Sequence, residues 1–159
     1  MKTEALERYL KSFGKQVVKE AKKNLSSAGK KGALSNSIDF FVIRKGGTVT
    51  VRFKMAAYGV FVDKGVSGKK TKRTYTDKDG KTKTSPFKFG TGSSPAGQGG
   101  MSGIMAKWVK KKGFQWRDEK GRFMSHKSMG YIIARSIYSK GIQGISFFQK
   151  PMMLGMKTF

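Results

Sequence analysis

The stretch Tyr131-Ile-Ile-Ala-Arg-Ser-Ile-Tyr-Ser-Lys-Gly-Ile-Gln-Gly-Ile-Ser-Phe-Phe-Gln-Lys-Pro151 decides how the chain is read. Met129, Ile132, Ile133, Ser136 and Ile137 recur at three- and four-residue spacing, which places one helix face against a core. The spacing predicts a helix over about 127–140. Gly141 then stands where a helix end favours a residue tolerant of positive φ. Ile142 to Phe148 reads as a short terminal strand, and Pro151 fixes the exit from Phe147-Phe148.

Upstream, Leu6, Tyr9, Leu10, Phe13, Val17, Ala21 and Leu25 keep a helical period from Thr3 to Leu25, with lysines on the other face. Glu4 and Glu7 at its start and Lys22 and Lys23 near its end suit the helix dipole. Gly14 weakens the middle by about 1 kcal/mol relative to Ala. Residues 26–32 read as a loop. Ser37 to Arg44 and Thr48 to Lys54, joined by Lys45-Gly-Gly47, make a hairpin. Its second arm alternates Val49, Val51 and Phe53 with Thr50, Arg52 and Lys54. The first arm, Ile38-Asp-Phe-Phe-Val-Ile43, is apolar on both faces at its centre, which predicts burial inside a sheet or against another subunit. Tyr58 to Asp63 is either a third strand or one helical turn presenting Tyr58, Phe61 and Val62 inward.

Between Gly65 and Gly103 the character changes. Thr71 to Thr84 is short, polar and basic, with Asp79-Gly80 as a hairpin turn. Phe89 to Gly103 holds six glycines in fifteen residues, with Pro95 among them. Such a composition cannot pack a core and predicts a mobile loop. Residues 66–103 are therefore expected as a basic, glycine-rich arm inserted into a single domain spanning 1–159. Ile104, Trp108 and Val109 restart a helix that ends at Lys112-Gly113, and Lys120-Gly-Arg122 turns the chain between two short extended pieces. The fold class expected is α+β. A long N-terminal helix packs on a small, mainly antiparallel sheet, with one or two C-terminal helices, a terminal strand and the inserted flexible arm.

A length of 159 residues leaves room for one compact domain with a modest core. The 34 Lys and Arg against 9 Asp and Glu give a net charge of +25. Self-repulsion on that scale points to a negatively charged partner. Residues 64–100 carry nine basic and two acidic side chains and 101–127 eight and two, against four and two in 32–63. Nucleic acid is one such partner, since phosphate neutralisation dominates nucleic-acid affinity. An acidic protein surface in a large assembly is the other. Without cysteine, disulfides and Cys-based metal sites are excluded. The first residues lack the apolar run of a signal peptide, and no run approaches the roughly 20 residues of a membrane span. A soluble protein with no membrane partner is expected.

Catalytic chemistry has few groups to use. His126, the one histidine, stands beside Lys127 before a helix and reads as a solvated loop residue. Ser/His/acid catalysis needs a carboxylate orienting the imidazole, and no pattern singles one out. Asp118-Glu-Lys120 has the acid-plus-lysine look of metal-dependent nucleases. Those sites need several carboxylates converging on a hard cation, whereas these two lie on a turn among basic neighbours. Asp77 and Asp79 flank a turn and serve its geometry better than calcium, which takes six or more oxygen ligands. Gly92-Ser-Ser-Pro-Ala-Gly97 has the gap of a P-loop, but Gln98 stands where lysine is required and no apolar strand feeds it. No catalytic, metal-binding or cofactor-binding residue is expected, and no enzymatic activity. The basic runs Lys69-Lys-Thr-Lys-Arg73 and Lys110-Lys-Lys112 have aromatic neighbours in Tyr75, Trp108 and Trp116, a combination that can stack single strands. Trp108, at helical spacing from Ile104 and Met105, reads rather as a core or interface residue.

The helix–glycine–Phe-Phe–Pro order of residues 131–151 resembles the C-terminal end of the tail-completion, or head–tail joining, proteins of tailed bacteriophages. A second stretch, Ala57-Tyr-Gly-Val-Phe-Val-Asp-Lys-Gly65, resembles them too, as does Gly32-Ala-Leu34 between the first helix and the first strand. The resemblance covers about residues 3–66 and 101–151. The chain departs from the family in its long 71–100 insertion and in the eight residues after Pro151, too few for a long terminal helix. The resemblance implies a structural virion protein that forms a homo-oligomeric ring, hexamer or dodecamer, in the phage neck. It would join head connector to tail, beside portal or adaptor and tail proteins, with packaged DNA in the channel as a further partner. It would be made in the host cytoplasm and carried in the virion.

Rings are built from head-to-tail interfaces, for which Ile38, Phe40, Phe41, Tyr58, Phe61, Trp108, Phe147 and Phe148 are the candidates. Lys69, Lys70, Lys72 and Arg73 form a basic arm that docks on an acidic ring or faces DNA. Docking is favoured because Asp77 and Asp79 intersperse negative charge, which a protein surface uses for register. The other reading is a free, non-catalytic DNA-binding protein. It explains the charge but not the apolar strand, and no helix-turn-helix, zinc-finger or RNA-binding signature is present.

Overall fold

A computed structural model describes residues 2–30, 32–90 and 100–158. In chain order the first elements are α1 (Lys2–Ser27), α2 (Ala33–Ser37), β1 (Asp39–Lys45), β2 (Thr48–Lys54), α3 (Gly59–Lys64) and β3 (Val66–Ser67). They are followed by β4 (Thr74–Thr76), β5 (Thr82–Thr84), α4 (Gly100–Lys112), α5 (His126–Lys140), β6 (Gly141–Ile142) and α6 (Gln149–Lys157). The class is α+β, and the described strands pair antiparallel as three two-stranded ribbons, β1–β2, β3–β6 and β4–β5. Where the sequence predicts one domain, contacts divide the chain into two compact units. The first comprises Met1–Gly65, Thr74–Thr84 and Gln143–Phe159; the second comprises Val66–Arg73 and Ser85–Ile142.

In the first unit the period of Val17, Ala21 and Leu25 does what it predicts, burying one stripe of α1. Leu34, Ile38 and Phe147 complete this core. Gly14 marks the closest approach of helix to ribbon, because a Cβ there would run into the Phe40 ring. The residue that weakens α1 is the one that admits β1. Phe53 gathers Phe13, Phe40 and Phe148 around it at ring separations of 6.3, 6.2 and 5.2 Å. The hairpin register pairs Phe40 with Phe53, Phe41 with Arg52 and Val42 with Val51. Alternation then separates the apolar centre of β1 into a face toward α1 and a face bearing Phe41. That strand is not inside a sheet: β2 is its one neighbour among the described strands, and Phe41 stays exposed.

Four further expectations differ from the structure. Tyr58 to Asp63 takes the helical alternative, yet Gly59 and Asp63 occupy the buried positions of α3, while Tyr58 and Phe61 remain 46% and 44% exposed. The terminal strand shrinks to Gly141–Ile142, paired with Val66–Ser67. Ser146, at φ 49°, bends the chain after it. Pro151 opens rather than ends an element, since it lies in the first turn of α6, where its missing N–H is not needed. The 66–103 arm is, where described, part of both units. Its Thr74–Thr84 hairpin forms as expected and belongs to the first, and Gly100 to Gly103 begin α4. The mobile-loop and P-loop readings around Gly92 to Gly97 and Gln98 fall on residues 91–99, outside the described residues.

In the second unit α4 and α5 lie against each other. A Cβ on Gly130 would stand 2.5 Å from the Ala106 nitrogen and 2.7 Å from the Ser102 carbonyl oxygen, so glycine sets the approach. Val109, Met129 and Ala134 are buried around it. Ser125 caps α5 by accepting the Ser128 N–H at 3.1 Å, and Gly141 ends it at φ 73°.

Candidate interaction surfaces

The eight proposed interface residues separate on burial. Ile38 and Phe147 are core residues of the first unit, with essentially no surface to offer a neighbour, so their assignment to an interface is corrected. Phe40 and Phe148 are half-buried in the ring cluster around Phe53. Phe41, Tyr58 and Phe61 face solvent. In the second unit Trp108 is exposed and Val109, one position on, is the buried residue. Trp108 meets Phe114 edge-on at 5.2 Å.

Lys69, Lys70, Lys72 and Arg73 are not on a projecting arm. The Lys69 and Lys70 N–H groups donate to the carbonyls of Tyr138 and Ser139 at 2.9 and 3.0 Å. Arg73 Nε donates to the Lys140 carbonyl at 2.8 Å. These residues thus supply partners to the last carbonyls of α5, where a helix leaves acceptors unsatisfied and favours positive charge. The Lys69, Lys70 and Lys72 side chains remain exposed.

Asp77 loses the external role proposed for it. It is 4% exposed, and its Oδ1 accepts the N–H groups of Asp79 and Lys81 at 2.9 Å each. Its Oδ2 pairs with Lys83 Nζ at 2.6 Å. The Lys83 ammonium holds this carboxyl below its ordinary range, and the carboxylate in turn raises the lysine. A carboxylate so occupied by its own turn cannot set register against a docking surface, whereas Asp79 stays half-exposed beside Lys78, so one of the two acids behind the preference for docking is withdrawn and the other remains at the surface.

A second buried carboxylate carries structure that the sequence did not disclose. Asp63, 2% exposed, accepts the N–H groups of Phe148 and Gln149 at 2.8 and 3.4 Å, capping α6 from α3. Burial pushes its pKa upward against the pull of those donors. The one signal was an acid set in the apolar run Val60-Phe-Val62.

Asp118 accepts the Lys120 and Arg122 N–H groups at 3.0 and 2.9 Å and pairs with the Arg122 guanidinium at 3.0 Å. The carboxylate of the nuclease-like triplet therefore organises its own turn. His126 is exposed at the start of α5. A shallow pocket lined by Ser102, Lys127, Ser128, Tyr131 and Ile132 brings no acid–base pair together. Among the described residues no group of three or more His, Asp or Glu is placed to hold a metal, and no helix is long and apolar enough to cross a membrane.

Past α4 the chain forms a basic, aromatic turn. Gly113 ends the helix at φ 69°, Arg117 bridges Phe123 across the turn, and Met124 N–H donates to the Trp116 carbonyl at 2.8 Å. The Arg117 guanidinium lies 4.1 Å from the centre of the Phe123 ring. Phe114, Trp116 and Phe123 are 41%, 39% and 62% exposed. No protein family, curated protein or solved structure matches this chain.

Proposed function

We propose that the chain is a structural, non-enzymatic subunit of a ring in the neck of a tailed bacteriophage, joining the head connector to the tail. The observation that carries this reading is the outward display of Phe41, Tyr58 and Phe61 by a unit whose core is already closed by Phe147. Aromatic side chains are enriched where protein surfaces become buried on association. Two of the three lie on the Ala57–Gly65 stretch, which also carries the resemblance to tail-completion proteins. A net charge of +25 opposes closure of six or twelve copies. Anionic neighbours, an acidic face of a portal, adaptor or tail protein or the packaged DNA, would offset it in the virion.

Electron microscopy and mass measurement of the purified protein, alone and with particles, test the reading. Closed rings and density in the neck are expected, and Phe41→Asp with Phe61→Asp should stay folded while losing both. A protein that remains monomeric at every concentration and never enters particles would overturn it.

A further inference from the structure

We propose that the last turn of α4 and the turn of residues 113–124 form a binding surface for single-stranded nucleic acid, with rings stacking on bases and cations neutralising phosphates. This goes beyond the ring reading and does not rest on it. The first observation is aromatic. Trp116 and Phe123 sit on a short hairpin-like turn whose backbone is held by the Arg117–Phe123 bridge and by the Asp118 carboxylate, and the Arg117 guanidinium packed 4.1 Å from the Phe123 ring holds that ring from one side. Rings held in place lose little freedom when a base stacks on them.

The second observation is charge. Lys110, Lys111 and Lys112 are exposed at the C-terminal end of α4. Helical spacing puts Trp108 on the same face as Lys111 and Lys112, three and four positions on. Lys120 follows on the turn, with Arg117 over the Phe123 ring and Arg122 paired to Asp118. The two acids in this region are Asp118 and Glu119, and the former is engaged by Arg122 and by backbone donors. A helix end favours one or two cations through its dipole, but that preference does not call for exposed tryptophan and phenylalanine beside them.

Stacking selects the strand state. A duplex hides the faces of its bases and would meet only the lysines and arginines, whereas unpaired bases can use both features. An acidic protein would meet the cations but gains no stacking.

Fluorescence titration of the full chain with oligothymidylate, a blunt duplex and polyglutamate tests the assignment. Oligothymidylate should bind tightest and quench tryptophan emission. Trp116→Ala with Phe123→Ala should weaken it roughly 10- to 100-fold and change duplex binding little. Replacing Lys110, Lys111 and Lys112 by Gln should reduce the slope of log affinity against log salt by about two, at roughly 0.7 per single-strand phosphate contact. Trp116→Phe should retain most of the affinity. Should the alanine pair fail to fold, Trp116→Leu with Phe123→Leu keeps the apolar bulk without the aromatic face, and the same loss is expected. Aromatic variants that bind oligothymidylate like the parent would overturn the proposal. So would equal affinity for single strand and duplex, or polyglutamate binding as tight as oligothymidylate. None of these results bears on whether the chain forms rings.

Discussion

In the first unit Phe13, Phe40, Phe53 and Phe148 meet ring against ring beside a core closed by Phe147. In the second the buried apolar side chains among the described residues are Val109, Met129 and Ala134, while Trp108, Phe114, Trp116 and Phe123 face water. The difference follows from where the chain carries its rings. Around Gly130 the backbones of α4 and α5 approach too closely for a side chain at that position, with Met129 buried beside it, while Trp108 falls on the outer face of α4 and Phe114, Trp116 and Phe123 lie on the turn beyond it. The first unit places a helix on a ribbon, and aromatic rings fill the wider gap. Aromatic rings thus build both the core and part of the surface of the first unit, whereas the buried apolar residues of the second are not aromatic.

The largest effect should come from emptying the aromatic core. Phe147→Ala is expected to cost about 3–5 kcal/mol in urea unfolding, with hydrogen exchange rising first in α1, β1 and β2. Overpacking the close helix pair is the counterpart. Gly130→Ala should cost about 1–3 kcal/mol and raise exchange in α4 and α5; a variant as stable as the parent would show that those helices are not in such close contact.

The buried carboxylates sharpen the comparison within the first unit. Asp63→Ala should lose about 1–2 kcal/mol with the α6 cap, whereas Asp63→Asn keeps an acceptor and should match or exceed the parent at neutral pH. The folded pKa of Asp63 is raised by burial. Its favourable contribution is therefore complete below the ordinary value of 3.8 and is lost as pH rises through the raised one. Melting temperatures of parent and Asp63→Asn should converge in acid and separate toward neutrality. Asp77 has the opposite sign, because Lys83 lowers its pKa. Its contribution is present above 3.8 and disappears as pH falls through the lowered value, so the 77–81 turn should loosen in acid, and Asp77→Asn should remove that dependence. Smallest of all, Trp116→Ala should change stability by no more than about 0.5 kcal/mol, since its ring is a surface feature.

Much of the α+β arrangement was legible where the signal is local. The stripe Val17, Ala21 and Leu25, the alternation of Val49, Val51 and Phe53, and the glycine at position 141 each state a nearest-neighbour preference that the fold keeps. What was missed depends on distant partners. Asp63 caps a helix that begins 86 residues later, and the basic run at Lys69–Arg73 completes the end of α5 from 67 residues away in the case of Arg73. Both read from sequence as surface charge. Ile142 to Phe148 looks like a strand, but the strand it pairs with among the described residues, Val66–Ser67, is two residues long, and further on Ile145 and Ser146 donate instead to the Val62 and Asp63 carbonyls of α3. Trp108 and Val109 differ by one step of a helix, about 100°, which periodicity over a short run does not resolve.

The chain passes from one unit to the other after Gly65, Arg73, Thr84 and Ile142. This has a consequence for synthesis. The helices of the second unit lie close in sequence and can pair soon after Lys140 leaves the ribosome. The first unit closes its core with Phe147, seven positions later, but its α1 is made first and waits longest. The 122 positions from Leu25 to Phe147 take about 6 to 24 s at roughly 5–20 residues per second. For that interval Leu34 and Ile38 are the partners at hand for the apolar stripe of α1, and the place that Phe147 fills stands open on the nascent chain, where a holding chaperone would find it.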